Sequence, residues 1–264
     1  MELNLKVNNV GVINTANINI NKINVVGGVN SSGKTTVSKL LYCYLKSPEA
    51  PQKLIENEGY LNINTENIKF SSNTKFKDIF YLESISVLDL KDLEILNLDH
   101  IKHIKECLEI KNQNSKPDIT SKIQNIINDD CYSSAGIKQI GVIQILLENN
   151  SLKEDSFLFI DEPESNLHPD WQIKFAEILV LLTKELNITL YLNSYSPIFI
   201  EAISLYSQYN DLLNDTNFYL TKKQTNGKFN FKKINPKNMG EVYENLTKSY
   251  DELDKLKAKI LFKE

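Results

Sequence analysis

The chain has 264 residues, a formal net charge of −4, and 41% hydrophobic against 24% charged residues. Those values suit one large α/β domain, or a core with a small appendage, and argue against binding nucleic acid by bulk positive charge. No stretch is long and apolar enough for a membrane span, and Met1-Glu-Leu-Asn-Leu-Lys6 has no apolar signal core, so a cytoplasmic location and no membrane partner are expected.

The residues up to Gly27 read as short strands, at Leu3–Val7, Val10–Val12, Ile18–Ile20 and Ile23–Val26, separated by Asn-rich turns. Next comes Gly28-Val-Asn30-Ser31-Ser32-Gly33-Lys34-Thr35, then Thr36 and a helical pattern of Val37, Leu40, Leu41 and Leu45. A strand, a glycine-rich loop with spacing G-x-x-x-x-G-K-T, and a helix form a phosphate cradle. The glycines let backbone N–H groups turn inward, the helix N-terminus adds positive dipole, Lys34 reaches the terminal phosphates and Thr35 offers a hydroxyl to Mg²⁺. This segment predicts binding of a nucleoside triphosphate.

Pro48 and Pro51 close the first helix region. Tyr60 to Asp89 is strand-like, clearest at Phe70 and Phe76–Leu82. Helical spacing follows over Leu93–Ile110 and Ile119–Ile127. A turn at Ser133–Gly136 opens an apolar helix through Ile137, Ile140, Ile143 and Leu147. The single domain, 1–264, is thus expected to carry a helical subdomain at about 92–148. Phe157–Ile160 reads as a buried strand ending in Asp161-Glu162-Pro163, Pro169–Leu186 as an amphipathic helix, and Ile188–Leu192 as a second buried strand ending at Asn193-Ser194. Alternating strands and helices predict an α/β fold with a mixed, mainly parallel sheet. A hairpin is expected over Phe218–Ile234, turning at Asn226-Gly227, then helix from Met239 to Phe262. The last helix, with Leu253, Leu256 and Ile260, is expected to pack on the core.

An acid at the C-terminal end of an apolar strand lies where ligands bind in open α/β sheets. Asp161 is placed to hold Mg²⁺ through water, and Glu162 to accept a proton from an attacking water. All 30 basic residues are lysine. The chain itself therefore has no arginine finger, and a cation at the phosphates must be lysine, a metal or a partner's residue. Cys43, Cys107 and Cys131 lack metal-ligand spacing and read as free thiols; His100 and His103 read as a solvated helix face. Lys222, Lys223, Lys228, Lys232 and Lys233 stand on the hairpin without an acid between them. They could grip a nucleic-acid backbone, but a lysine-protected edge hairpin is the favoured reading.

Several segments together resemble the small stand-alone bacterial ABC-like ATPases of the RecF, SMC and OLD group. Gly28–Thr35 looks like their phosphate loop, and Asp161-Glu-Pro-Glu164 with Asn166-Leu-His-Pro169 resembles their Walker B and D-loop. Ser134-Ala-Gly136-Ile-Lys138 is similar to their signature motif, Leu192-Asn-Ser-Tyr195-Ser-Pro197 to their switch segment, and Tyr81-Leu-Glu83-Ser84 stands at their Q-loop. The resemblance implies an ABC-ATPase-like P-loop fold binding ATP and Mg²⁺ in a head-to-tail homodimer. Ser134, Gly136 and Lys138 would then face the γ-phosphate of the other copy. It also implies ATP hydrolysis that controls a protein partner, in DNA maintenance or antiviral defence. Two positions depart from the pattern: Tyr195 replaces the usual histidine, and Glu83 or Ser84 the usual glutamine, where Glu83 could still reach Mg²⁺. These departures point to slow turnover and leave two alternatives open: an ATP-sensing, antitoxin-like subunit, and a RecF-like DNA-binding ATPase.

Overall fold

The computed structural model describes residues 3–47, 68–72, 76–83, 103, 106–108, 117–128, 137–236 and 239–261. The described residues build one mixed sheet of nine strands in the order β4-β1-β2-β9-β8-β3-β7-β6-β5. β1 (Leu3–Val10) and β2 (Ile13–Ile20) form an antiparallel hairpin, flanked by β4 (Ile68–Ser72). They are longer than the sequence pattern suggests, because alternate residues of both strands are buried while the rest face water. β3 (Ile23–Gly27), β5 (Ile79–Leu82), β6 (Phe157–Asp161), β7 (Thr189–Ser194) and β8 (Thr216–Lys223) run parallel. β9 (Phe229–Ile234) returns antiparallel to β8 and pairs parallel with β2, joining the two halves.

Apart from Lys222 and Lys223 at the end of β8, the parallel strands are buried, so their side chains divide by parity between two cores. Val26, Ile79, Tyr81, Phe157, Phe159 and Tyr191 point to one face, where α1 (Lys34–Lys46) inserts Val37, Leu40 and Leu41. Leu3, Leu5, Val7 and Ile18 of the antiparallel half join this same cluster, so α1 packs against both halves of the sheet. Tyr81, Phe157 and Phe159 stack there with ring centroids 4.3–5.6 Å apart. Val25, Phe80, Leu158, Ile160, Leu190 and Leu192 point the other way. They meet α2 (Pro117–Asn128), α3 (Ile137–Glu148), α4 (Pro169–Leu186) and α5 (Pro197–Tyr209). α5 is a helix the periodicity alone does not announce. Ser196 caps it, its hydroxyl accepting from the Phe199 N–H at 3.2 Å, and Pro197 occupies its first turn.

The expected helices at Ile119–Ile127 and Pro169–Leu186 are present. Of the expected helix over 93–110, only His103 and Glu106–Leu108 are described, and they are helical; the turn at Ser133–Gly136 lies outside the described residues. Four expectations fail. No strand covers Val10–Val12: β1 ends at Val10, and Gly11 and Val12 form the turn into β2. His103 does not stand on a solvated face: its ring stacks on Phe80 with centroids 5.3 Å apart, and its Nδ1 is buried. The lysine hairpin is not at an edge: β8 and β9 lie inside the sheet, between β3 and β2. The C-terminal region is two helices, α6 (Gly240–Leu246) and α7 (Lys248–Leu261), and α7 does not pack on the core. Leu253, Leu256 and Ile260 are 50%, 54% and 64% exposed.

Candidate nucleotide site

β3 runs straight into the glycine-rich loop, and Gly33 ends that loop with φ 92°, a left-handed conformation that suits glycine. A Cβ there would also sit 2.7 Å from Ile13 Cγ1. α1 begins at the next residue, so its unpaired N–H groups face the loop. Asn30, Ser31, Ser32, Gly33, Lys34, Thr35 and Thr36 line a cavity of about 510 Å³. Val10, Gly11 and Val12 from the β1–β2 turn close one side, and Glu162 enters from the other. Ser32 Oγ is buried with no hydrogen-bond partner among the described residues, a polar atom that an anion's oxygen would satisfy.

Lys34 is 5% exposed, and its ammonium donates to the carbonyls of Gly28 at 2.8 Å and Val29 at 3.0 Å. Burial pulls its pKa below the ordinary lysine value, against the opposing pull of the Asp161, Glu164 and Glu162 carboxylates. The Thr35 hydroxyl donates to Asp161 Oδ2 at 2.7 Å, bringing together residues 126 positions apart. The Asp161 carboxyl is raised above the usual aspartate value, chiefly by burial; hydrogen bonds from Thr35 and Asn193 oppose the rise, while Glu162 and Glu83 add to it.

Asn193, Ser38, Tyr81 and Glu164 were given no role by sequence reasoning. Asn193 Nδ2 donates to Asp161 Oδ1 at 3.0 Å and to Ser38 Oγ at 2.8 Å, and Ser38 Oγ lies 2.7 Å from the Tyr81 hydroxyl. This buried chain runs across the strand ends of β6, β7 and β5 and fixes the carboxylate's direction. Glu164 is buried and accepts from the N–H groups of Tyr195 at 2.6 Å and Ser196 at 3.1 Å. It thereby ties the turn after β6 to the end of β7. One signal could have exposed Asn193: a polar residue near the end of an otherwise apolar strand.

After β6 the backbone turns at Glu162, with φ 53°. Its N–H donates to the Asn193 carbonyl at 2.9 Å, and Ser165 Oγ donates to Glu162 Oε2 at 3.1 Å. A non-glycine residue held left-handed costs about 1–2 kcal/mol, offset here by those bonds, and the carboxylate is directed into the cavity. Tyr195 follows β7 with a side chain 39% exposed. Glu83 leaves β5 beside the Asp161 end of β6 and forms an ion pair of 3.1 Å with Lys39 of α1. Gly28 contributes its carbonyl and backbone. Ser134 and Gly136 lie outside the described residues, and Lys138 stands in the first turn of α3. On the hairpin, Glu241 of α6 takes ion pairs from Lys222 at 2.9 Å and Lys232 at 3.0 Å. An acid just beyond the hairpin thus occupies two of the five lysines offered for nucleic acid.

Residues 130–201 match a family described as "AAA domain, putative AbiEii toxin, Type IV TA system". Curated protein sequences give no match. Among solved structures, cbiO1 from Clostridium perfringens, part of the ABC transporter complex cbiONQ, is 18% identical with a TM-score of 0.51, covering 96% of this chain and 100% of its own. The SMC head domain from Thermotoga maritima is 10% identical with a TM-score of 0.52, covering 89% and 99%. The chain thus has the ABC-like P-loop ATPase fold shared by transporter cassettes and SMC heads, as its motifs led us to expect.

Proposed function

We propose that the chain binds ATP with Mg²⁺ in the cavity beside Lys34, pairs with a second copy around the nucleotide, and hydrolyses it to ADP and phosphate to control a protein partner. The observation that carries this reading is the 2.7 Å contact between the Thr35 hydroxyl and Asp161, next to the loop that buries Lys34. Among the described residues no three His, Cys, Asp or Glu side chains form a metal-binding group. One hydroxyl and one carboxylate fit Mg²⁺, which takes oxygen ligands and draws most of them from phosphates and water. When bound, the ion would offset phosphate charge and orient the oxygens. Loop amides and Lys34 hold the phosphates. Glu162, steadied by Ser165, accepts the proton of the water that attacks the γ-phosphorus as the bond to the β–γ bridging oxygen breaks. The segment Ser134–Lys138 of a second copy would close the site, as the family resemblance implies. The toxin–antitoxin description of the family matched at 130–201 supports a role in defence against phage, with DNA maintenance the other setting the resemblance suggests.

Calorimetry with Mg-ATP tests the binding: the parent chain gives a heat of association and Lys34→Ala gives none. Glu162→Gln, competent to bind but not to turn over, should gain mass in light scattering when ATP and Mg²⁺ are added. No heat from the parent chain would sink the proposal. Tyr195 favours a second reading, an ATP-sensing subunit with little turnover, because a phenol brings no positive charge to the phosphates. Rapid steady-state hydrolysis by the purified chain alone would remove it.

A further inference from the structure

We propose that α7 of one copy docks in the apolar groove between α4 and α5 of a second copy, reciprocally, forming a dimer that needs no nucleotide. The groove has a volume of about 550 Å³ and is lined by Ile173 and Glu177 of α4 with Ile198, Glu201, Leu205 and Tyr209 of α5. Leu205 is 59% and Tyr209 84% exposed, and Ile173 and Ile198 are exposed beside them. Large apolar side chains gathered along one groove, unlike scattered surface ones, mark an interaction surface. From Ile198 to Tyr209 the groove follows α5 for about 16 Å at 1.5 Å per residue.

α7 has the matching relief. Leu253, Leu256 and Ile260 recur at i, i+3 and i+7, the spacing by which an amphipathic helix fills a groove. The stripe spans about 10 Å, within the groove's length. Charge matches around Leu256 and Ile260: the acids Asp251, Glu252 and Asp254 stand in the first half of the helix, but from Lys255 onward it carries Lys255, Lys257 and Lys259 and no acid, whereas the charged residues lining the groove are Glu177 and Glu201. Lys257 also shares a 2.8 Å ion pair with Asp254 of its own helix. A 14-residue helix with its apolar face in water is marginal alone, since isolated helices shorter than about 12–15 residues barely hold together.

The junction before α7 decides between its own groove and another copy's. α6 is fixed to the core by buried Val242, and the Tyr243 hydroxyl donates to Glu201 at the groove's edge. Only Thr247 separates α6 from α7; its N–H and its hydroxyl both bond the Tyr243 carbonyl, at 2.9 Å and 2.6 Å. Helix–helix reversals need about 2–5 residues. α7 therefore cannot double back along α6, and within the single chain Leu253, Leu256 and Ile260 stay exposed instead of covering the groove. Two copies exchanging α7 about a twofold axis fill both grooves and leave no open end.

The test is the mass of the full chain without nucleotide, by sedimentation equilibrium across micromolar concentrations. The parent chain is expected to be a dimer. Leu256→Glu with Ile260→Glu, and separately Leu205→Glu in the groove, should weaken association about tenfold or more by burying unpaired charge. All three residues are exposed in the single chain, so thermal unfolding by circular dichroism should still show a folded protein. In a chain whose Cys43, Cys107 and Cys131 are replaced by alanine, Leu205→Cys combined with Leu256→Cys should give, on oxidation, a covalent dimer that neither single variant gives. A monomeric parent chain, charge variants that stay dimeric, or a disulfide formed within one chain overturns the proposal. None of these readings involves ATP, so they stand or fall apart from nucleotide-driven pairing. In the Leu256→Glu/Ile260→Glu variant the ATP-dependent gain in mass can be read by itself.

Discussion

Gly28→Ala should injure the site through a strand, not through the nucleotide. The added methyl would sit 1.9 Å from Thr221 Oγ1, 3.0 Å from Thr221 Cβ and 3.1 Å from Ser32 Oγ. Carbon contacts are comfortable at about 3.5 Å or more, so the Thr221 hydroxyl must turn away, and loop and β8 must still part by about 0.5 Å to clear the Thr221 Cβ. Turning Thr221 about χ1 moves the oxygen but not the Cβ. Gly28 is tied on both sides, its N–H to the Ser194 carbonyl at 3.1 Å and its carbonyl to Lys34, so any shift carries the ammonium's anchor with it. Overpacking of this kind costs about 1–3 kcal/mol, which lowers the melting temperature by roughly 3–10 °C in a chain of this size. One misaligned hydrogen bond to a charged phosphate forfeits about 1.5–3 kcal/mol, on the order of 10–100-fold in Kd for Mg-ATP. Scanning calorimetry and titration calorimetry read the two effects. Thr221 Oγ1 is buried and has no partner among the described residues, so Thr221→Ala costs little by itself and should restore part of both losses in the double variant. Simple addition of the two single effects, or a Gly28→Ala chain that melts and binds like its parent, would refute the steric reasoning.

Asn193→Ala removes two buried donors, to Asp161 and Ser38, and should cost about 1–3 kcal/mol in urea unfolding. The acid limb of Mg-ATP binding should lie above the ordinary aspartate range, because burial raises Asp161 and the ligand needs its carboxylate; calorimetric Kd against pH checks this, and Asp161→Asn should flatten the limb. The sign for stability runs oppositely. A raised acid binds more protons folded than unfolded, so Asp161's contribution is most favourable at low pH, declines as pH rises through the folded pKa, and stays at its full penalty above it. Phe175→Ala empties a fully buried position facing Phe199 and should cost about 3–5 kcal/mol in the same unfolding assay.

The phosphate cradle was legible because its strand, loop and helix are contiguous, so local spacing carries all of it. Asp161 was legible as an acid ending an apolar strand, and its contact with Thr35 followed from both motifs serving one ion. Asn193 and Tyr81 were not, since their meeting depends on β7 and β5 flanking β6, and strand order is not written in any one segment. The hairpin was misplaced for the same reason. Lysines on a strand look like edge protection, but β9 pairs with β2 and Glu241 of α6 takes up Lys222 and Lys232. For α7 the sequence pattern marked an apolar face correctly; amphipathicity says that a face needs cover, not what covers it.

The balance of charge around Lys34 makes a last demand. With no arginine in the chain, Lys34 is the ammonium held inside the loop, and Lys39 is engaged by Glu83. Against Lys34 stand Asp161, Glu162 and Glu164, each close enough to act on its proton affinity. A bare triphosphate brought here meets more negative than positive charge in a partly desolvated site, where charges interact more strongly than in water. Binding should therefore be linked to the divalent cation: ATP with EDTA should bind at least about tenfold more weakly than Mg-ATP, a gap of roughly 1.4 kcal/mol. Asp161→Asn, which removes both a metal ligand and a repulsive charge, should narrow that gap from both ends. Equal affinity with and without Mg²⁺ would mean that a cation beyond the described residues neutralises the phosphates, and that Lys34 and its carboxylates do not set the charge of the site.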